Sequence, residues 1–140
     1  MLSHTITFER FQPISRGHPK IIQSVCDFRE YFILTEMRQL LQAVHRIVTG
    51  VSQLDQDQGR TQAAAAARSA GMVMALDDNP TLILKLPLPM KQIGMSVHRG
   101  FDELADTITE GATSQQILQR LSTIMTRCLA CHEAYQLKEG

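Results

Sequence analysis

Eight residues before its carboxyl end, the 140-residue chain carries Cys128-Leu129-Ala130-Cys131-His132, a C-x-x-C-H pentapeptide. No other stretch narrows the fold as much, because two thiols and an adjoining imidazole act together only where the backbone turns them to one side. On a helix, at about 100° per residue, Cys128 and Cys131 lie about 60° apart and His132 falls about 40° to the other side of Cys128. The preceding residues predict such a helix: Ile117, Leu121, Ile124, Met125, Cys128, Cys131, His132 and Tyr135 recur at intervals of three and four, within a stripe of roughly 100°. Thr113 or Ser114 supplies a capping oxygen and Gly111 interrupts what precedes, so the helix is expected from about residue 114 to about 137. Thiols so spaced add across the two vinyl groups of a haem while the next imidazole reaches the iron. The pentapeptide therefore reads as a site of covalent, c-type haem attachment, one haem per chain.

Other uses of the motif fit less well. C-x-x-C is half of many zinc sites, but the only further cysteine is Cys26, so one chain cannot supply four sulfurs. A thioredoxin-like dithiol belongs at the start of a helix, where the amide dipoles lower a thiol pKa, and this one lies near a helix end. Cys26 itself reads as a small apolar residue or as one half of an intermolecular disulfide.

The length suits one domain with a sizeable core. Fourteen Lys plus Arg against fourteen Asp plus Glu give no net charge, which removes the electrostatic case for nucleic acid or an anionic membrane. Five Phe, two Tyr and no Trp offer little for base stacking. No apolar run approaches the length of a membrane span. Phosphate-binding glycine loops are missing and no Ser/His/Asp set stands out, so the chain is not expected to be an enzyme.

Residues 1–30 mix Arg10, Arg16, His18, Lys20 and Arg29 with Pro13, Gly17 and Pro19, and read as a loosely ordered arm or the product of a misplaced start codon. Haem attachment outside the cytoplasm predicts a periplasmic protein, yet no secretory signal is visible in this stretch. From Tyr31 to the end, a helical domain is expected. Ile33, Met37, Leu40, Leu41, Val44, Val48 and Val51 form the apolar stripe of its first helix, with Glu36, Gln39, Gln42 and Arg46 opposite, Arg38 and His45 on the flanks, and Gly50 near the end. Thr61–Leu76 is a second helix whose run Ala63 to Ala67 lets a neighbouring helix or a flat cofactor come close. Residues 81–89 end in two prolines and read as a buried crossover. Met90–Glu110 is a third helix with Ile93, Val97, Phe101, Leu104, Ala105 and Ile108 on one side. His98 lies beside that stripe and reads as a hydrogen-bonded or exposed histidine.

Four amphipathic helices, a longer crossover between the second and third, and C-x-x-C-H near the end of the fourth resemble the cytochrome c′ family. The likeness spans about residues 31–137. It is carried by Arg127-Cys128-Leu129-Ala130-Cys131-His132-Glu133-Ala134-Tyr135 and by Leu86-Pro87-Leu88-Pro89-Met90-Lys91-Gln92-Ile93-Gly94, with Phe101-Asp102-Glu103-Leu104-Ala105 after it. Where that family often has a basic residue after the aromatic, this chain has Gln136, with Lys138 two positions on. The resemblance implies an all-α, antiparallel up-down-up-down four-helix bundle. It implies thioether bonds at Cys128 and Cys131, His132 as proximal ligand, and a distal face against the first helix. It also implies electron transfer with a redox partner protein or binding of a diatomic gas such as NO or CO, and homodimers in many members. On the first helix, Met37, Leu41 and Val44 are the residues expected to point at the iron, with Arg38 beside them. Leu41 and Val44 lack a donor atom and would leave the iron five-coordinate, whereas the Met37 thioether is able to ligate it. The competing expectation is a haem-free helical interaction module in which the C-x-x-C-H is fortuitous or a relic.

Overall fold

The computed structural model describes residues 20–23, 27–77, 84 and 86–138. Most of the expected arm with its Cys26, residues 78–80, and residues 81–83 and 85 of the expected crossover lie outside the described residues. The helices are α1 (Asp27–Ser52), α2 (Asp57–Ser69), α3 (Met72–Asp77), α4 (Leu88–Thr109) and α5 (Ser114–Ala134). A short parallel pairing joins β1 (Lys20–Gln23) to β2 (Tyr135–Lys138), with Lys20 opposite Tyr135 and Gln23 opposite Lys138. Among the described residues no helix is long and apolar enough to cross a membrane.

The long helices form a bundle around one core. Ile47 of α1, Phe101, Leu104 and Ile108 of α4, and Ile117 of α5 are the largest fully buried side chains. Each removes enough apolar surface from water to contribute about 1.5–3 kcal/mol. From α2 only alanines enter, Ala63, Ala66 and Ala67, so this helix lies close against its neighbours. α1 packs on α2, α2 on α4 and α4 on α5, while α1 and α5 touch lightly.

Each boundary has a local cause. α1 runs through Gly50 to Ser52 because that glycine is where α2 comes nearest: a Cβ there would stand 2.6 Å from the Gly59 carbonyl oxygen and 2.9 Å from the Ala63 Cβ. The apolar face of α1 is turned by roughly 50° from the expected stripe. Ala43, Ile47 and Val51 are buried, whereas Leu41 and Val48 face solvent, Leu41 being 68% exposed. Small residues decided that phase, since Ala43 and Gly50 admit α2 where larger side chains would hold it off.

The second helix is not continuous to Leu76 as expected. At Ala70 and Gly71 the backbone amides bond back three residues, to Ala67 and Arg68. The Met72 amide that would continue the ladder instead donates to Asp102 Oδ2 at 2.8 Å. Asp102 thereby caps α3, and it sits where a Gly71 Cβ would fall, 2.1 Å from its Oδ1. Arg68 bonds the same carboxylate at 3.0 Å and also Asp106.

α4 starts before Met90 and absorbs the prolines expected to mark a loop. Pro87 is its N-cap and Pro89 stands in the first turn, where a missing N–H costs nothing. Gly111 at φ 96° turns the chain into α5. There Thr113 accepts from the Gln116 amide at 3.2 Å while the Gln116 side chain accepts from the Thr113 amide at 2.9 Å, a reciprocal cap. α5 stops at Ala134, short of residue 137, because Tyr135 is extended (φ −131°, ψ 142°) and its strand pairs with β1.

Candidate functional site

α5 carries Cys128, Cys131 and His132 on the face that continues Ile117, Leu121 and Ile124, three residues buried in the core. Opposite lies an apolar cavity, which all three motif side chains line. α1 contributes Ile33, Glu36, Met37 and Leu40 to its wall, α3 contributes Ala75, and α4 contributes residues from Met90 to His98. Its volume is about 150 Å³, and it is open to solvent on one side. The sulfur of Cys128 rests 3.8 Å from the Ile124 carbonyl oxygen. Burial pushes both thiols up from their ordinary pKa, and the charge of Cys128 adds to the effect at Cys131. The resting form at neutral pH is therefore the uncharged S–H.

The cavity has one strongly hydrogen-bonded polar corner. His98, 3% exposed, places Nδ1 2.8 Å from the Ala70 carbonyl oxygen and Nε2 2.8 Å from Glu36 Oε1. A carbonyl only accepts, so Nδ1 carries a hydrogen. A second hydrogen must lie between Nε2 and Oε1, on an imidazolium facing a carboxylate or on a carboxyl group facing a neutral ring. Either arrangement leaves the pair neutral overall, which suits a buried imidazole bonded to a carboxyl group that is 25% exposed. Lys91 stands at the rim with its ammonium 3.3 Å from the Leu84 carbonyl oxygen. Below the cavity, Arg127 donates to the Ser96 carbonyl oxygen at 2.6 Å and ties α5 to α4.

Of the residues that the sequence singled out, Cys128, Cys131, His132 and Met37 come together around this cavity. Leu41 and Arg38 do not. Both are exposed outside the cavity lining, a consequence of the turned phase of α1. Val44 packs against the core instead of lining the cavity, and Ala63, Ala66 and Ala67 of α2 pack in the core, while Ala75 of α3 lines the cavity. His45 is exposed. Tyr135 caps α5 away from the lining. Glu36 went unrecognised because the expected stripe put it on the polar side. Its signal was slight, a single acid between the apolar positions Ile33 and Met37 of the expected stripe.

Donor chemistry and space both bear on whether these residues could hold a covalently attached haem. Two neutral thiols and an imidazole project from one helical face into one apolar cavity, with a thioether across from them, and this set suits haem attachment. A cavity of that volume is benzene-sized, so a macrocycle fits only by extending through the open side. Among the described residues no group of three or more His, Cys, Asp and Glu side chains is placed to hold a bare metal ion. No protein-family model, curated protein or solved structure matches the chain.

Proposed function

We propose that this chain is a c-type haem protein of cytochrome c′ type, a non-enzymatic carrier of electrons or binder of a diatomic gas. The observation that carries the reading is the convergence of Cys128, Cys131 and His132 with Met37 on one apolar cavity. Each thiol would add its S–H across a vinyl double bond, the sulfur bonding one carbon and the hydrogen going to the other, so attachment needs no oxidant. His132 would ligate the iron from α5. The apolar walls would exclude water, which favours reversible redox or gas chemistry over side reactions.

An antiparallel up-down-up-down order is part of the same proposal, and cross-helix contacts support it. Gly50 meets Gly59 and Ala63. Arg60, at the start of α2, reaches Ile108 near the end of α4, while Arg68 at its other end reaches Asp102. Ser96 meets Arg127, and Gly100 lies under Ile124. The site of haem attachment would be the periplasm. On the α1 wall Met37 supplies a thioether, and whether it ligates would decide between a six-coordinate carrier and a five-coordinate gas binder.

A second reading, a haem-free helical interaction module, draws on exposed apolar rows, Leu41 and Val48 on α1 and Leu118, Met125 and Leu129 on α5. One assay separates the two. Protein made in a host that matures c-type cytochromes should give a pyridine haemochrome of one haem per chain, with haem that acidic acetone does not extract. Replacing Cys128 and Cys131 together by Ser should render any haem extractable. No haemochrome from the wild type would leave the interaction module as the better reading. A sulfur-to-iron charge-transfer band that vanishes in Met37→Ala would assign the sixth ligand.

A further inference from the structure

We infer that the Glu36–His98 bridge is a positioning contact that fixes the α1 wall of the cavity, and with it Met37, against α4. α1 gains its packing from α2 and, more lightly, from α5. The bridge reaches α4 directly and joins residues 62 apart in sequence at 2.8 Å. Its far end is itself held, since the other ring nitrogen of His98 donates to the Ala70 carbonyl at the break between α2 and α3. Three parts of the chain thus meet on one imidazole, and that ring is almost wholly out of water.

Dry surroundings strengthen a hydrogen bond and make its loss harder to replace. A Glu36 without His98 would be a carboxylate on an apolar wall, and the cheapest relief is for α1 to swing toward solvent. Glu36 precedes Met37 directly, so such a movement carries the thioether away from the motif on α5. Glu36 and His98 need not touch any bound group to do this. The inference rests on the haem reading only where a haem signal is the readout.

The test compares wild type with Glu36→Gln, which retains a hydrogen-bonding side chain, and with His98→Leu and Glu36→Leu, which break the bridge from either end. Amide hydrogen exchange is read helix by helix on the full chain, whatever its haem content. Breaking the bridge should speed exchange in residues 33–41 roughly tenfold or more, with α5 near wild type, α2 near wild type in Glu36→Leu, and Glu36→Gln close to wild type throughout. Where wild-type haem is confirmed, the same two Leu variants should change the carbon monoxide association rate or the ferric spin state, and Glu36→Gln should change neither. Exchange that rises evenly in every helix, or not at all in 33–41, would overturn the inference. The exchange arm stands if the haemochrome assay fails, so the two failures are told apart. If His98→Leu does not fold, Glu36→Leu decides, because His98 keeps its bond to Ala70.

Discussion

Arg60 shows how a single side chain secures a helix end in this bundle. Its Nη1 donates to the carbonyl oxygens of Ile108 at 2.8 Å and Ala112 at 3.1 Å, acceptors at the end of α4 and just beyond it. Arg60→Ala should lower the unfolding free energy by about 1–3 kcal/mol in urea titration, since two partly buried carbonyls lose a charged donor. Arg60→Lys should recover only part, because an ammonium lacks the planar fork. A Lys variant as stable as wild type would show that charge alone matters there. Nothing local in the sequence marks Arg60 or Asp102 for these contacts. Their partners lie 48, 52 and 30 residues away, and no local pattern encodes a contact at that range. The motif on α5 was plain for the opposite reason, its three groups being adjacent in sequence and on one helical face.

At the scale of elements, periodicity revealed which stretches are helices but not how they turn. α4 and α5 show the contrast with α1. Phe101, Leu104 and Ile108, and Ile117, Leu121 and Ile124, are buried as their spacing implies. On α1 large apolar residues stand on both sides of the true face, and Leu41 with Val48 drew the expected stripe away from Ala43 and Ile47. What set the phase was the approach of α2 to Gly50, a property of two helices that neither encodes alone. Gly50→Ala tests this. By helix propensity the change gains about 1 kcal/mol. Contact with the backbone oxygen of Gly59 should outweigh that gain and leave a net loss of about 1–2 kcal/mol, seen as a lower urea midpoint. A more stable Gly50→Ala protein would mean that the α1–α2 spacing yields easily. The break at Gly71 was hidden for a related reason, because a side chain from α4 takes the amide that the local sequence would have used.

Across the whole molecule, packing is uneven in a way that bears on the cavity. α2, α4 and the start of α5 share a continuous core through Ala63, Ala67, Phe101, Leu104, Ile108 and Ile117. α1 joins that core through Ala43, Ile47 and Val51, but toward Ile33 and Met37 it borders the cavity. A group bonded to Cys128 and Cys131 would touch α1, α4 and α5 together and add the apolar contact that the light α1–α5 seam lacks. On the haem reading, Cys128→Ala with Cys131→Ala should keep most of the helical circular dichroism, because the core through Phe101 does not depend on the cavity. Its melting temperature should nevertheless fall by about 10 °C, equivalent to roughly 3 kcal/mol for a chain of this size. Amide exchange in the first half of α1 should accelerate more than in α2. A melting temperature that stays put would mean that α1 is held by its packing on α2 and by the Glu36–His98 bridge without help from anything in the cavity. A variant that loses its helices altogether would mean that the core cannot form before attachment.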